Sequence, residues 1–176
     1  HPGWAEQHPE SWWQSLKVAV RNVLDSLVNE DEDDYEVCGM CIDTTCCSVV
    51  ALDSDKHPVK PCILWMDQRS APQAAKIMEL AYGDPALLVN CQGKGPVSAE
   101  WMTPKALWIK ENWEWDRIEH ICEYQDYINY KLTSVFCANA CNAATRWHWD
   151  GNEAIRGYGR PLSLYRKIGI PELTEK

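Results

Sequence analysis

Apolar residues recur near helical spacing at the start of the chain: Trp12, Trp13, Leu16, Val20, Val23, Leu24 and Leu27. With Pro9-Glu10-Ser11 as an opening, this pattern predicts a helix. Residues 29–34 (NEDEDD) predict an acidic turn. Like charges repel and stay hydrated, so the turn reads as a solvated loop and not as a metal site. Residues 35–53 carry Val37, Met40, Ile42, Val49, Val50, Ala51 and Leu52, which predict two strands around residues 43–48. A turn at residues 54–58 and a short buried strand at 62–65 follow. Residues 70–80 predict a helix containing Ala71, Ala74, Ala75, Ile77 and Met78, and Asp84-Pro85 breaks the chain. Residues 92–96 read as a loop. Ser98-Ala99-Glu100 reads as a helix start, with Thr103-Pro104 just inside it and the helix continuing to residue 112. A helical turn is expected at 116–120. A helix over 123–132 places Tyr124, Tyr127, Ile128 and Leu132 on one face. A loop at 157–161 and a short last helix at 162–168 complete the chain. Strands alternating with helices predict an α/β layered domain, and no linker divides it.

Composition narrows the class. A chain of 176 residues suffices for one domain that buries roughly 70% of its unfolded surface. Seventeen Lys+Arg against 26 Asp+Glu give a net charge of −9, which disfavours non-specific nucleic-acid binding. No apolar run reaches the ~18 residues of a membrane span. The polar N-terminus lacks the apolar region of a signal peptide. No membrane partner is therefore expected. The nine cysteines are an odd number, and several lie in apolar stretches. That usage points to a reduced, cytoplasmic protein. The chain opens on His1, which suggests a processed product or a fragment.

Candidate chemistry is sparse. Cys38-x-x-Cys41 has the spacing of a zinc knuckle, and Cys46-Cys47 follows it. On a strand, adjacent residues and residues three apart point to opposite faces, so four thiolates would not converge on one ion. Buried free thiols are the simpler reading. Cys137 and Cys141 could share a helix face, which leaves a redox role open. Gly93-x-Gly95 is too short for a nucleotide loop. His1, His8, His57, His120 and His148 form no ligand pair. What remains is Trp65-Met66-Asp67-Gln68-Arg69, directly after an apolar strand. An aromatic face suits the C–H surface of a sugar or polyol, and a carboxylate and a guanidinium suit its hydroxyls. A core tryptophan with a surface ion pair is the plainer alternative.

Several runs in order resemble the FGGY family of carbohydrate kinases. They are Gly3-Trp4-Ala5-Glu6-Gln7-x-Pro9-Glu10-x-Trp12-Trp13, then Ile42-Asp43-Thr44-Thr45-Cys46-Cys47-Ser48-Val49-Val50-Ala51-Leu52-Asp53, then Pro61-Cys62-Ile63-Leu64-Trp65-Met66-Asp67-Gln68-Arg69. Ser98-Ala99-Glu100-Trp101-Met102-Thr103-Pro104-Lys105-Ala106-Leu107-Trp108 and Asp126-Tyr127-Ile128-Asn129-Tyr130-Lys131-Leu132-Thr133 continue the likeness, with Ser134 where the family usually has Gly. The likeness spans residues 3–173, and the SAEW-x-x-PK run is most similar to the ribulokinase, or pentulose kinase, branch.

The resemblance implies an α/β fold of the RNase H-like, actin-like ATPase type, with the sugar in a cleft between two domains. It implies transfer of the ATP γ-phosphoryl group to a hydroxyl of a pentulose or polyol, with Mg²⁺ on the phosphates and an Asp from later in the chain as base. The sugar-contacting turn falls at Thr45, Cys46 and Cys47. Trp65 matches the tryptophan against the substrate's carbon chain. Asp67 and Arg69 follow on the same loop, Glu100 matches a polar substrate contact, and Lys105 is expected to anchor its helix. The family's glycine-rich first hairpin, its ATP-binding half and its catalytic Asp have no counterpart in the sequence. Residues 1–176 are therefore expected to be an incomplete N-terminal domain that neither binds MgATP well nor phosphorylates alone. Unpaired strand edges and exposed apolar surface are expected with it. A homodimer of the full-length protein stays open. The alternatives are a non-catalytic sugar-binding module and a thiol-based metal or redox protein.

Overall fold

A computed structural model describes residues 1–28, 36–91, 95–154 and 159–176. The expected acidic turn at 29–34 lies outside these residues, as do positions 92–94 and 157–158 of the two expected loops. The strands are β1 (Glu6–Gln7), β2 (Val49–Leu52), β3 (Cys62–Ile63) and β4 (His120–Glu123). The helices are α1 (Pro9–Val28), α2 (Ala71–Ala81), α3 (Leu88–Cys91), α4 (Met102–Asn112), α5 (Tyr124–Thr133), α6 (Ala140–Arg146), α7 (Gly151–Ala154) and α8 (Leu162–Lys167).

The strands form one sheet in the order β1-β3-β2-β4, with every neighbouring pair antiparallel. Strand β2 is central, and all four of its residues are buried. A strand that reads as an unbroken apolar run must be covered on both faces, because successive side chains point to opposite sides. Val49 and Ala51, with Ile63 and Ile121, pack against Ile77 of α2, Met102 and Ala106 of α4, and Leu164 of α8. Val50 and Leu52, with Cys62 and Cys122, face Trp12 of α1 and Tyr127 and Ile128 of α5. Each such aliphatic side chain contributes about 1.5–3 kcal/mol when fully buried. The β2–β3 turn is closed by Asp53, whose Oδ1 accepts the backbone N–H groups of Asp55 (3.0 Å) and His57 (2.8 Å).

Most expected elements are present, and the departures have physical reasons. Residues 36–42 are not a strand, although Val37, Met40 and Ile42 predicted one. A strand needs a neighbour for its backbone groups, and among the described residues no strand lies beside this segment. Val37 and Met40 are exposed. Helix α1 forms as predicted, yet only its first turns are covered: Trp12 is buried, whereas Val20, Val23 and Leu24 are exposed. Helix α4 starts at Met102, later than Ser98, because Ser98 first closes a turn by accepting the Trp101 N–H on its carbonyl (3.1 Å). Strand β4 and helices α3, α6 and α7 have no counterpart among the elements expected from the sequence. β4 has only four residues, and they sit directly against the start of α5.

His148 lies beyond α6, buried, with its backbone N–H donating to Asn90 Oδ1 (3.0 Å) and its ring 5.6 Å from that of Trp101. Burial pushes its pKa down to about 4, against smaller opposing pulls from the Ala86 backbone and from Asp84. The unfolded chain therefore takes up a proton that the folded chain refuses as pH falls from about 6.5 to about 4. Through that window His148 should remove about 1.4 kcal/mol of stability per pH unit, and none above it. His148→Phe is expected to flatten the acid limb of urea-unfolding free energy relative to the parent chain. Parallel acid limbs in the two proteins would contradict this.

Candidate functional site

Every residue of α4 from Met102 to Ile109 is buried, and Lys105 sits in the middle of that run. A buried ammonium must spend its three N–H donors on protein acceptors. Lys105 Nζ donates to the carbonyls of Cys47 (2.7 Å), Leu64 (2.7 Å) and Trp65 (3.1 Å). It thereby ties the turn ahead of β2 to the loop after β3. Trp65 N–H adds a second tie by donating to Ser48 Oγ (3.2 Å). Burial pushes the Lys105 pKa down to about 8.

Glu123, the last residue of β4, grips the other side of the same turn. Its Oε2 accepts the Cys47 N–H at 2.8 Å. Its carboxylate also caps α5, in a reciprocal box with Asp126. Burial pushes the Glu123 pKa up to about 8. The Cys47 residue is thus held at its N–H by Glu123 and at its carbonyl by Lys105. It adopts φ +69°, a left-handed conformation that costs a non-glycine residue about 1 kcal/mol.

The loop after β3 has its own brace. Asp67 is fully buried and accepts the Arg69 N–H (2.8 Å), Nε (2.9 Å) and Nη2 (2.8 Å) together with the Ala5 N–H. Arg69 Nη1 donates to Glu6 (2.7 Å), and its guanidinium lies 3.8 Å from the Trp4 ring centroid. Burial alone would raise the Asp67 pKa, but the Arg69 guanidinium and two backbone N–H groups hold it below the ordinary carboxylate range. The pair clamps the N-terminal segment to the sheet. It also leaves Trp65 standing outward, 41% exposed. Gln68 Nε2 donates to Glu100 Oε1 (2.9 Å), and Ser70 Oγ donates to the Ala99 carbonyl (2.6 Å). These bonds draw Glu100 to the same loop.

The seven expected sugar contacts therefore fall on adjoining loops in two kinds of position. Thr45 is exposed, Cys46 and Glu100 are half-buried, and Trp65 presents an open indole face. Cys47, Asp67 and Arg69 are buried in hydrogen bonds that shape the loops. An indole face, a thiol and a carboxylate on one rim suit a small polyhydroxy ligand better than an apolar one. The residues with most control over this rim, Lys105 and Glu123, were read from sequence only as a helix anchor and a helix start. The usable signal was a lysine inside the apolar run from Met102 to Ile109. A separate hollow of about 260 Å³ opens between β4, α5, α6 and the C-terminal turn, and none of the seven residues lines it. Cys38, Cys41, Cys46, Cys47, Cys62, Cys122, Cys137 and Cys141 are free thiols. Among the described residues no three His, Cys, Asp or Glu side chains gather as an ion site.

The architecture is that of the sugar kinases of the actin-like ATPase fold. It superposes on xylulose kinase from Rhodospirillum rubrum with a TM-score of 0.78, covering 97% of this chain and 34% of that one at 27% identity. Residues 1–151 match the N-terminal domain of the FGGY family of carbohydrate kinases, and the chain belongs to that family. It is 27% identical over 181 residues to the human FGGY carbohydrate kinase domain-containing protein, covering 96% of this chain and 30% of the relative. Ribulokinase from Bacillus licheniformis is 26% identical over 94% of this chain and 32% of its own length. The chain thus spans about a third of the relatives it matches.

Lys105→Met removes the donor from three carbonyls and is expected to cost about 3 kcal/mol or more in urea unfolding. A loss under about 1 kcal/mol would remove Lys105 as the tie between the loops. Asp67→Asn strands a buried guanidinium and should cost about 3 kcal/mol, read as a lowered melting temperature. Unchanged stability with weakened sugar binding would instead make Asp67 a direct contact.

Proposed function

We propose that this chain forms the sugar-side wall of the cleft of an ATP-dependent pentulose or polyol kinase, ribulokinase-like in type. The observation that carries the reading is the convergence of the Cys47, Leu64 and Trp65 carbonyls on Lys105, in a chain of the FGGY family. That tie holds the turn at residues 45–47 and the Trp65 indole on one rim. In this reading Trp65 packs against the sugar's carbon chain, and Glu100 accepts a hydroxyl hydrogen on the oxygen that Gln68 leaves free. Thr45 and Cys46 form a small, weakly polar wall. Cys47, Asp67 and Arg69 act from behind by holding the loops. ATP, Mg²⁺ and the base come from other parts of the whole protein, which acts in the cytoplasm. Residues 1–176 are an incomplete N-terminal domain and do not phosphorylate alone.

The test is ADP release by the whole protein with MgATP and a panel of D-ribulose, L-ribulose, xylulose and ribitol. Turnover with one of these is expected. Glu100→Gln should then raise KM about tenfold, as loss of a charged hydrogen bond worth about 1.4 kcal/mol would. Trp65→Ala should raise it at least as much. Sugar binding by calorimetry with no turnover would replace the kinase with a non-catalytic binding module.

A further inference from the structure

Adjacent thiols stand at the wall of the proposed sugar cleft, Cys46 on it and Cys47 behind it, and among the described residues each sulfur has only the other as a hydrogen-bond partner. Cys46 Sγ and Cys47 Sγ are 3.8 Å apart. Among the described residues no other two sulfurs lie in hydrogen-bonding reach. Cys62 and Cys122 are buried on the sheet, and Cys38, Cys41, Cys137 and Cys141 are exposed. Cys46 is half-buried and open to a reagent, whereas Cys47 is buried behind it. The Cys47 backbone is pinned by Glu123 and Lys105 at φ +69°.

This geometry resists one dithiol chemistry and suits another. A disulfide needs the sulfurs at about 2.05 Å, little more than half their present separation. Closing it would require both side chains to rotate together, in a strained eight-membered ring, over a backbone that Glu123 and Lys105 hold. A single bridging atom that bonds both sulfurs leaves them apart, and a backbone already fixed loses little freedom when the ring closes. We propose that Cys46 and Cys47 form a binding site for trivalent arsenicals, and that capture there obstructs the sugar turn. The second half rests on the functional reading above; the first does not.

The step balances without an oxidant. With an organoarsenous acid, R–As(OH)₂, the Cys46 sulfur forms the first As–S bond and one hydroxyl leaves as water with the thiol proton. The Cys47 sulfur forms the second bond and releases a second water. Arsenic stays trivalent throughout.

The experiment treats the whole protein, reduced and native, with stoichiometric phenylarsine oxide and reads intact mass and peptide maps. One adduct per chain is expected, bridging residues 46–47. It should survive excess 2-mercaptoethanol and be removed by 2,3-dimercaptopropanol. Cys46→Ser, at the more open of the two positions, should weaken capture at least a hundredfold, and Cys47→Ser should do the same if it folds. No adduct, or one that persists in Cys46→Ser on Cys38/Cys41 or Cys137/Cys141, would overturn the proposal. A saturating pentulose should slow capture. Capture at an unchanged rate would leave the dithiol site standing and move the sugar elsewhere.

Discussion

A positive charge taken out of water organises this domain. The Lys105 ammonium lies inside a helix face that is otherwise apolar or small, and its desolvation is tolerable only because three carbonyl oxygens meet it. Those oxygens belong to two segments that the chain separates by a hairpin. The ammonium therefore does for the loops what a cross-strand ladder does for strands: it fixes their distance and register. Glu123 completes the arrangement from the far side of Cys47, so the turn is gripped along its backbone while the Thr45 side chain stays exposed.

The Asp67–Arg69 pair works on the same principle with a different outcome. Both carboxylate oxygens are committed to hydrogen bonds within the fold, and the guanidinium lies against Trp4 while it reaches Glu6. A charge pair this fully engaged is suited to bracing. It holds the loop on which Trp65 stands outward with its indole exposed. A motif that reads in sequence as three polar and aromatic contacts divides in space into one presenting residue and two supports.

The legibility of the chain follows from where the forces are local. α1, α2 and α5 could be read because their spacing and first-turn residues are adjacent in sequence. The run Val49 to Leu52 is legible as a strand because an unbroken apolar run suits a strand covered on both faces. Residues 36–42 misled because alternation reports a strand's faces and says nothing of whether a neighbour exists. β4 was missed because four residues carry too little periodicity. The ordered runs from Gly3 to Thr133 disclosed the family and the loops of the rim. The division of labour on those loops was not legible: the Lys105 contacts span 40 to 58 positions of sequence.

The left-handed backbone at position 47 divides the freedom of this wall unequally. Glycine, or asparagine with its short polar side chain, could adopt φ +69° at little cost. A valine, isoleucine or threonine there would meet its own backbone before it met any ligand. Residue 47 is thus chosen by the chain's geometry, and residues 45 and 46, whose backbones carry no such demand, are where the shape and polarity of this wall can be retuned without disturbing the fold.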